Sequence, residues 1–302
     1  MYKLVIGIPT YKRPFMLEKL LRSINDSKID QKYIRDINII IVDNDIDGSA
    51  LNIVNKLKDS QGYCYTMAYY NYPVKGLSFV RNRLLKLALE LSPDFIVSCD
   101  DDQVVSTHWL NNLIQIIVKN KGDIALGPVI PIFESKTPDS VAHWYQRKDF
   151  RNNQRVEYFH SGGTIISVRF LLMHNMKYDE RFNTTGGEDT YFGLIALKNG
   201  ANIYWAKEAI IYETVPQDRI GIFWIIKRRY MGAINFVYIL KIERENIKIL
   251  KKTLISVGYI ISGSIALLAM LLPIKKRYWG IIKISEGIGG LAGLFNISYD
   301  AY

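Results

Sequence analysis

The stretch "SCDDDQ", residues 98–103, sets Asp100, Asp101 and Asp102 directly behind the apolar run "DFIV". Side chains two apart on an extended segment share a face, so Asp100 and Asp102 are expected to point the same way. Two carboxylates so placed repel each other unless a cation lies between them. Hard oxygen ligands suit Mg²⁺ or Mn²⁺, ions that also bridge phosphate oxygens. The plainer reading is a solvated turn, with Asp101 serving only the local backbone and Ser106 or Thr107 capping the next helix. A second acidic pair, Glu188 and Asp189, stands in "GGEDTYFGLIAL". There the glycines give a turn, and the acids fall in the first turn of a helix carrying Leu194, Ile195 and Leu197. The helix dipole favours negative charge at that end, so a carboxylate there stays ionised and suits a general base or a simple cap. In "VEYFHSGGTIISVRF", read as a strand pair or a bent strand, Gly162 and Gly163 allow a ligand or backbone to come close, and His160 is read as structural. Arg228 and Arg229 are neighbours on a predicted helix, so at most one of them faces a site; attraction to anionic lipid explains either equally well.

These residues need elements to position them, and the first half of the chain alternates strand and helix patterns. "KLVIGIP" reads as a buried strand, after which Pro14 opens a helix with Leu17, Leu20, Leu21 and Ile24 at helical spacing. "INIIIVD", "CYTMAYY" and "DFIVSCD" read as further strands, and "SALNIVNKLKD" and "LSFVRNRLLKLALEL" as the helices between them. Strands buried on both faces and separated by helices make an α/β, doubly wound, mainly parallel sheet. Such sheets bind ligands beyond the carboxyl ends of their strands, at a switch point in strand order. The loops "PTYKRP", "VDND" and "CDDDQ" all occupy that position and are expected to converge on one crevice.

Composition bounds the rest. With 302 residues, 49% of them hydrophobic, the chain can fill a sizeable core, which argues against disorder. Cys64 and Cys99, the two cysteines, sit in apolar stretches away from metal-ligand spacing, as buried thiols in a reducing compartment would. The opening "MYKLVIGIPTYKRP" is broken by proline too soon for a signal peptide, which points to folding in the cytoplasm. A net charge of +10 is compatible with nucleic acid, yet no nucleic-acid motif is present. Lys251, Lys252, Lys275, Lys276 and Arg277 instead bracket "TLISVGYIISGSIALLAMLLP". That uncharged run of about 21 residues is long enough to span a hydrocarbon core. A single span would place Lys275, Lys276 and Arg277 across the membrane, against the positive-inside tendency. A hairpin whose second limb is "WGIIKISEGIGGLAGLF" avoids this, and a soluble helical pair is the alternative.

Taken together, "IGIPTYKRPFMLEKLLRSI", "IIIVDND", "GLSFVRNRLLKLALE", "FIVSCDDDQVVSTHWL", "GGEDTYFGLIALKNGANIYWAKEAIIYE" and "RRYMGA" resemble, in this order, the family 2 glycosyltransferases of the GT-A fold. Within that family the chain is most similar to bacterial exopolysaccharide and lipopolysaccharide enzymes, including the succinoglycan type. The resemblance implies transfer of a sugar, with inversion, from a nucleotide diphosphate donor, UDP before others, with Mn²⁺ or Mg²⁺ as cofactor. It implies donor contacts at Pro9, Thr10, Tyr11, Arg13, Asp43, Arg81, Asp100 and Asp101, and a metal on Asp102 with Asp100. Asp189 becomes the general base and Glu188 its neighbour that orients the acceptor or the loop. Gly162 and Gly163 line the sugar site, and Arg228 or Arg229 holds diphosphate or acceptor. The processive QxxRW pattern is missing, which favours addition of a single sugar.

The expected organisation is a catalytic domain over 1–240 and a membrane-associating helical region over 241–302. The expected activity is transfer of one sugar to a lipid-linked glycan at the cytoplasmic face of the inner cell membrane, with membrane lipids as partners and no nucleic acid. Two other readings stay open: a sugar nucleotidyltransferase, which should carry a glycine-rich phosphate loop where "PTYKRP" stands, and a non-catalytic nucleotide-sugar-binding assembly protein.

Overall fold

A computed structural model describes residues 1–268 and 274–295. Strand β1 (Tyr2–Thr10) leads through Arg13 and Pro14 into helix α1 (Pro14–Asn25), where proline's missing N–H costs nothing at the first helical position. Then follow β2 (Ile34–Asp43), α2 (Leu51–Lys58), β3 (Thr66–Asn71), α3 (Leu77–Glu90) and β4 (Phe95–Ser98). These four strands run parallel in the order β3-β2-β1-β4. The chain winds from β1 outward to β3, then returns to add β4 on the other side of β1. That reversal is the switch point, and the paired ends Thr10, Asp43 and Ser98 border it.

The chain continues with β5 (Gln103–Val105), α4 (Trp109–Lys119), β6 (Ile124–Leu126), β7 (Val129–Phe133), α5 (Asp139–Ala142), β8 (Thr164–Ser167), α6 (Val168–Met173), α7 (Glu188–Lys198), β9 (Ile203–Trp205) and β10 (Ile211–Val215). Strands β8, β6 and β9 extend the sheet past β4, and β8 is antiparallel to both its neighbours. A second sheet, β5-β10-β7, pairs Gln103 with Glu213 across an antiparallel ladder. Strand alternation splits the core into two layers. Leu4, Ile6, Ile8, Ile39 and Ile41 pack on α1, α2 and α4, while Val5, Ile40, Val42 and Ile96 pack on α3, α6 and α7. Each such side chain contributes roughly 1.5–3 kcal/mol of burial.

Last come α8 (Ile222–Ile242), α9 (Asn246–Leu268) and α10 (Ile274–Ala292). The chain divides into two compact units: residues 1–132, 147–183 and 188–214 form the sheet unit, and residues 133–146, 184–187 and 215–302 the helical unit. Position 240 thus falls inside α8, which belongs with the helices that follow it. Within the helical unit, α10 packs against α8 and α9 through glycines that let the backbones close up. Helix α9 is long enough and, with a mean hydropathy of 1.3, apolar enough to cross a membrane. It exposes Ile247, Leu250, Leu254, Ile261 and Ile265. The run expected over 253–273 therefore begins earlier as a helix, and residues 269–273 lie outside the described residues.

Several expectations need correction. The acidic segment is not extended: Asp101 and Asp102 form a turn that carries the chain from β4 into β5. "VEYFHSGGTIISVRF" is a strand only over Thr164–Ser167; the part before it is a loop with a single bridge from Arg155 to Tyr204. Helix α4 begins after His108 with no side-chain cap from Ser106 or Thr107; the Trp109 amide bonds to the Ser106 carbonyl at 3.0 Å. Cys64 is exposed, being in the loop ahead of β3, whereas Cys99 is buried.

Candidate active site

The three aspartates after β4 are held by two arginines and the β1 loop, all in the sheet unit: Arg13 serves both Asp101 and Asp102, and Arg81 serves Asp100. Asp101 is buried, and it serves more than its local backbone. Its Oδ2 accepts from the Thr10 hydroxyl at 2.9 Å and the Tyr11 amide at 3.4 Å, and its Oδ1 from Arg13 Nη1 at 3.2 Å. Asp101 thus clamps the β1 loop to the β4 loop. Burial pushes its carboxyl up, and Arg13, Thr10 and Tyr11 pull it back. Arg13 Nη1 also donates to Asp102 Oδ2 at 3.0 Å. Asp100 Oδ1 accepts from Arg81 Nη2 at 2.9 Å, and the Asp100 amide donates to Gln103 Oε1 at 3.0 Å.

The charge balance at Asp102 is unfavourable as it stands. Burial, then the nearby charges of Asp100, Glu213 and Asp101, push its carboxyl up to about 7, against the pull of Arg13. Among the described residues, Asp100 Oδ2 and Asp102 Oδ1 take no hydrogen bond. Two close carboxylates, each with an uncommitted oxygen, fit a divalent cation whose other positions are filled by water or phosphate. No group of three or more His, Cys, Asp or Glu among the described residues is arranged to hold a metal alone.

Arg81 connects this loop to the second acidic pair. It is buried on α3, with its guanidinium 5.5 Å from the Tyr178 ring centroid, rather than on a solvated helix face. Its Nε lies 3.5 Å from Glu188 Oε1, while its Nη2 holds Asp100. Glu188 is itself buried, and burial with the Asp189 charge raises its carboxyl in spite of Arg81. Gly186 and Gly187 precede it with φ of 72° and 92°, the left-handed turn that delivers the acids to the start of α7. Asp189, half-buried, accepts from the Thr190 amide at 2.6 Å and the Thr190 hydroxyl at 3.2 Å through Oδ1 alone.

The glycines before β8 are set by close approach. A Cβ on Gly162 would stand 2.1 Å from Gln103 Nε2 and 2.9 Å from Asp100 Oδ2, so glycine is what lets this strand lie against the acidic turn. Gly163, at φ +72°, has the Ile211 side chain where its Cβ would be, and its amide donates to the Ser98 carbonyl at 2.6 Å. His160 is buried, bonds to the Gly127 carbonyl at 3.1 Å and is pushed down to about 4 by burial and then by Arg147. It is structural, as its type suggested.

Other positions are placed as follows. Pro9 is buried at the end of β1, and Tyr11 is 54% exposed beside Lys12. Asp43 is completely buried and accepts from the amides of Asp45 and Ala50 and the Tyr69 hydroxyl, each at 2.9 Å. It braces the β2 loop with every bond it makes to protein. Arg228 and Arg229 belong to the helical unit, where Arg228 lies over Trp224 at 5.2 Å. Arg229 lies over Trp144 at 5.3 Å and pairs with Glu286 at 3.4 Å. Gln103, Arg147 and Glu213 join the site without a signal in the local sequence. Glu213 pairs with Arg147 and raises Asp102, and it comes there only through the β5–β10 register, which no local pattern announces.

Comparison with known proteins bears on this arrangement. The model of "Glycosyl transferase family 2" matches residues 5–177, and that of "Glycosyl transferase family group 2" residues 95–282. The succinoglycan biosynthesis protein ExoM of Rhizobium meliloti is 28% identical over 234 residues, covering 76% of this chain and 72% of that protein. Among solved structures, S. aureus TarS in complex with UDP-GlcNAc has a TM-score of 0.56 at 17% identity, over 98% of this chain and 93% of that one. The mannosyltransferase PcManGT of Pyrobaculum calidifontis, in complex with GDP-Man and Mn²⁺, has a TM-score of 0.62 at 14% identity, over 98% and 88%. The wound sheet is therefore that of the GT-A fold. The chain belongs to glycosyl transferase family 2, related to bacterial exopolysaccharide enzymes, and is a glycosyltransferase that draws on a nucleotide-sugar donor.

Proposed function

We propose that the chain is a metal-dependent, inverting glycosyltransferase that moves one sugar from a nucleoside diphosphate donor, UDP before others, to a lipid-linked saccharide. The observation that carries this reading is the pair Asp100 and Asp102, each anchored by an arginine through one oxygen and each with its other oxygen uncommitted. These two residues would hold Mg²⁺ or Mn²⁺, which when bound supplies positive charge to stabilise a departing diphosphate. PcManGT, which shares this fold, was solved with Mn²⁺ and a nucleotide sugar.

The chain's own residues perform the rest. Arg81 and Arg13 fix the two aspartates, and Asp101 ties the β1 loop, with Thr10 and Tyr11, to the same floor. Asp189 receives the proton from the acceptor hydroxyl as that oxygen attacks the anomeric carbon opposite the diphosphate, which inverts its configuration. Glu188, ion-paired with Arg81, fixes the start of α7 and with it the position of Asp189. The apolar face of α9 favours a membrane location, with the acceptor's lipid in the bilayer and transfer on the cytoplasmic face.

A donor screen with Mn²⁺ and a membrane lipid extract tests this. The parent chain transfers sugar from at least one nucleotide sugar; Asp102→Asn loses metal-dependent donor binding, and Asp189→Asn binds donor without turnover. No transfer and no hydrolysis from any donor would leave a non-catalytic nucleotide-sugar binder instead.

A further inference from the structure

The helical unit carries a cleft of about 490 Å³, lined by Asp139, Ser140, His143, Trp144, Gln146 and Trp279. Its volume is in the range of small-molecule sites, about 300–1,000 Å³. The cleft joins the segment around α5 to the start of α10, both of which belong to this unit. We propose that it binds a saccharide of the acceptor glycan. This assignment rests on the reading that the enzyme's acceptor is a glycan.

Three features select a sugar. First, both walls carry an indole. Trp279 is 38% exposed, and Trp144 is held in place by the Arg229 guanidinium over its ring at 5.3 Å. Arg229 is fixed in turn by Glu286 at 3.4 Å, which Lys283 holds at 2.7 Å. Trp144 also packs against the buried Val141, Ile225 and Ile282. A flat, electron-rich ring held rigid in this way suits the apolar C–H face of a pyranose. Second, the rim is polar and uncommitted. Among the described residues, the side chains of Asp139, Ser140, His143 and Gln146 make no hydrogen bond within the protein, so a carboxylate, a hydroxyl, an imidazole and an amide are free to meet sugar hydroxyls. Third, the lining residues themselves favour a sugar over the obvious rivals. A nucleotide phosphate would meet Asp139 and no lining Lys or Arg, and a lipid chain would bury four polar groups without partners.

The experiment uses the full chain in detergent, with short gluco- and galacto-oligosaccharides as probes and vesicles of anionic and zwitterionic phospholipid as the comparison. Binding is read by saturation-transfer NMR and tryptophan fluorescence, and UDP with Mn²⁺ is titrated in parallel. Saturable binding of at least one oligosaccharide is expected. It should weaken at least about tenfold in Trp144→Ala and in Trp279→Ala, and less in Gln146→Ala, while UDP affinity stays as in the parent. With an acceptor extract, the apparent KM for acceptor should rise in the two Trp variants and that for donor should not. Because Trp144 packs in a small core, Gln146→Ala and Trp279→Ala serve as the variants least disturbing to folding. Failure of every oligosaccharide to bind, or an unchanged acceptor KM in both Trp variants, overturns the proposal. So does a fluorescence shift of Trp279 with vesicles but not with sugars, which would mark a membrane-interface anchor. Saccharide binding without any donor turnover would keep the cleft and refute the enzymatic reading.

Discussion

Replacing Arg81 by Met should show that this residue links both acidic pairs. In the parent its guanidinium is 2.9 Å from Asp100 and 3.5 Å from Glu188, with only 5% of its side chain exposed. At those distances each attraction is roughly 5 kcal/mol before desolvation is subtracted, taking an effective dielectric of about 20. The net cost of truncation is smaller, about 3–5 kcal/mol, and arises mainly because Glu188 is left buried without its cation. At roughly 2–4 °C per kcal/mol, the melting temperature should fall by about 6–20 °C. The assay is thermal and urea unfolding at neutral pH of the parent, Arg81→Met, Glu188→Gln and the double variant. Glu188→Gln alone should be close to neutral, since it removes a charge that burial already disfavours. In the Arg81→Met background it should restore about 1–3 kcal/mol. A single-variant loss under about 1 kcal/mol, with coupling under about 0.5 kcal/mol, would refute the account of Arg81.

Other outcomes follow from the same geometry. Gly162→Ala should leave the fold standing, at a cost of about 1–3 kcal/mol, but displace Gln103 and Asp100 and weaken metal-dependent UDP binding at least about tenfold, read by calorimetry. His160, pushed down to about 4 in the folded chain, stays neutral there while the unfolded chain protonates near 6.5. Its contribution is therefore full above about pH 6.5 and is lost as the pH falls toward about 4. His160→Gln should lose about 2–3 kcal/mol less than the parent between about pH 7 and pH 4.5 in urea titrations. Asp189→Asn should bind donor like the parent and lose transfer by a factor of about 10²–10⁴, the range of general-base catalysis, measured in single turnovers.

The sequence disclosed what local pattern controls. Leu17, Leu20, Leu21 and Ile24 repeat at helical spacing and are buried on α1, and the apolar runs of β1, β2 and β4 line up in parallel with their polar ends together. What escaped is what long-range register decides. Glu213 and Gln103 meet because β10 pairs with β5, and Arg81 reaches both acidic pairs because α3 packs where its guanidinium is shielded from water. The sequence pattern predicts an extended acidic segment, but Asp101 and Asp102 turn, and Asp101 bonds back to Thr10, Tyr11 and Arg13, residues about 90 positions away. Cys64 lies among tyrosines that looked like strand, but β3 starts at Thr66.

The most direct test is a calorimetric titration of UDP into the parent chain and into Asp102→Asn, each with Mn²⁺ and again with EDTA. Saturable binding by the parent in Mn²⁺, at least about tenfold weaker in EDTA and in the variant, is the predicted result. Equal affinity in all four titrations would contradict it, for then the nucleotide would be held without the cation that Asp100 and Asp102 are placed to receive.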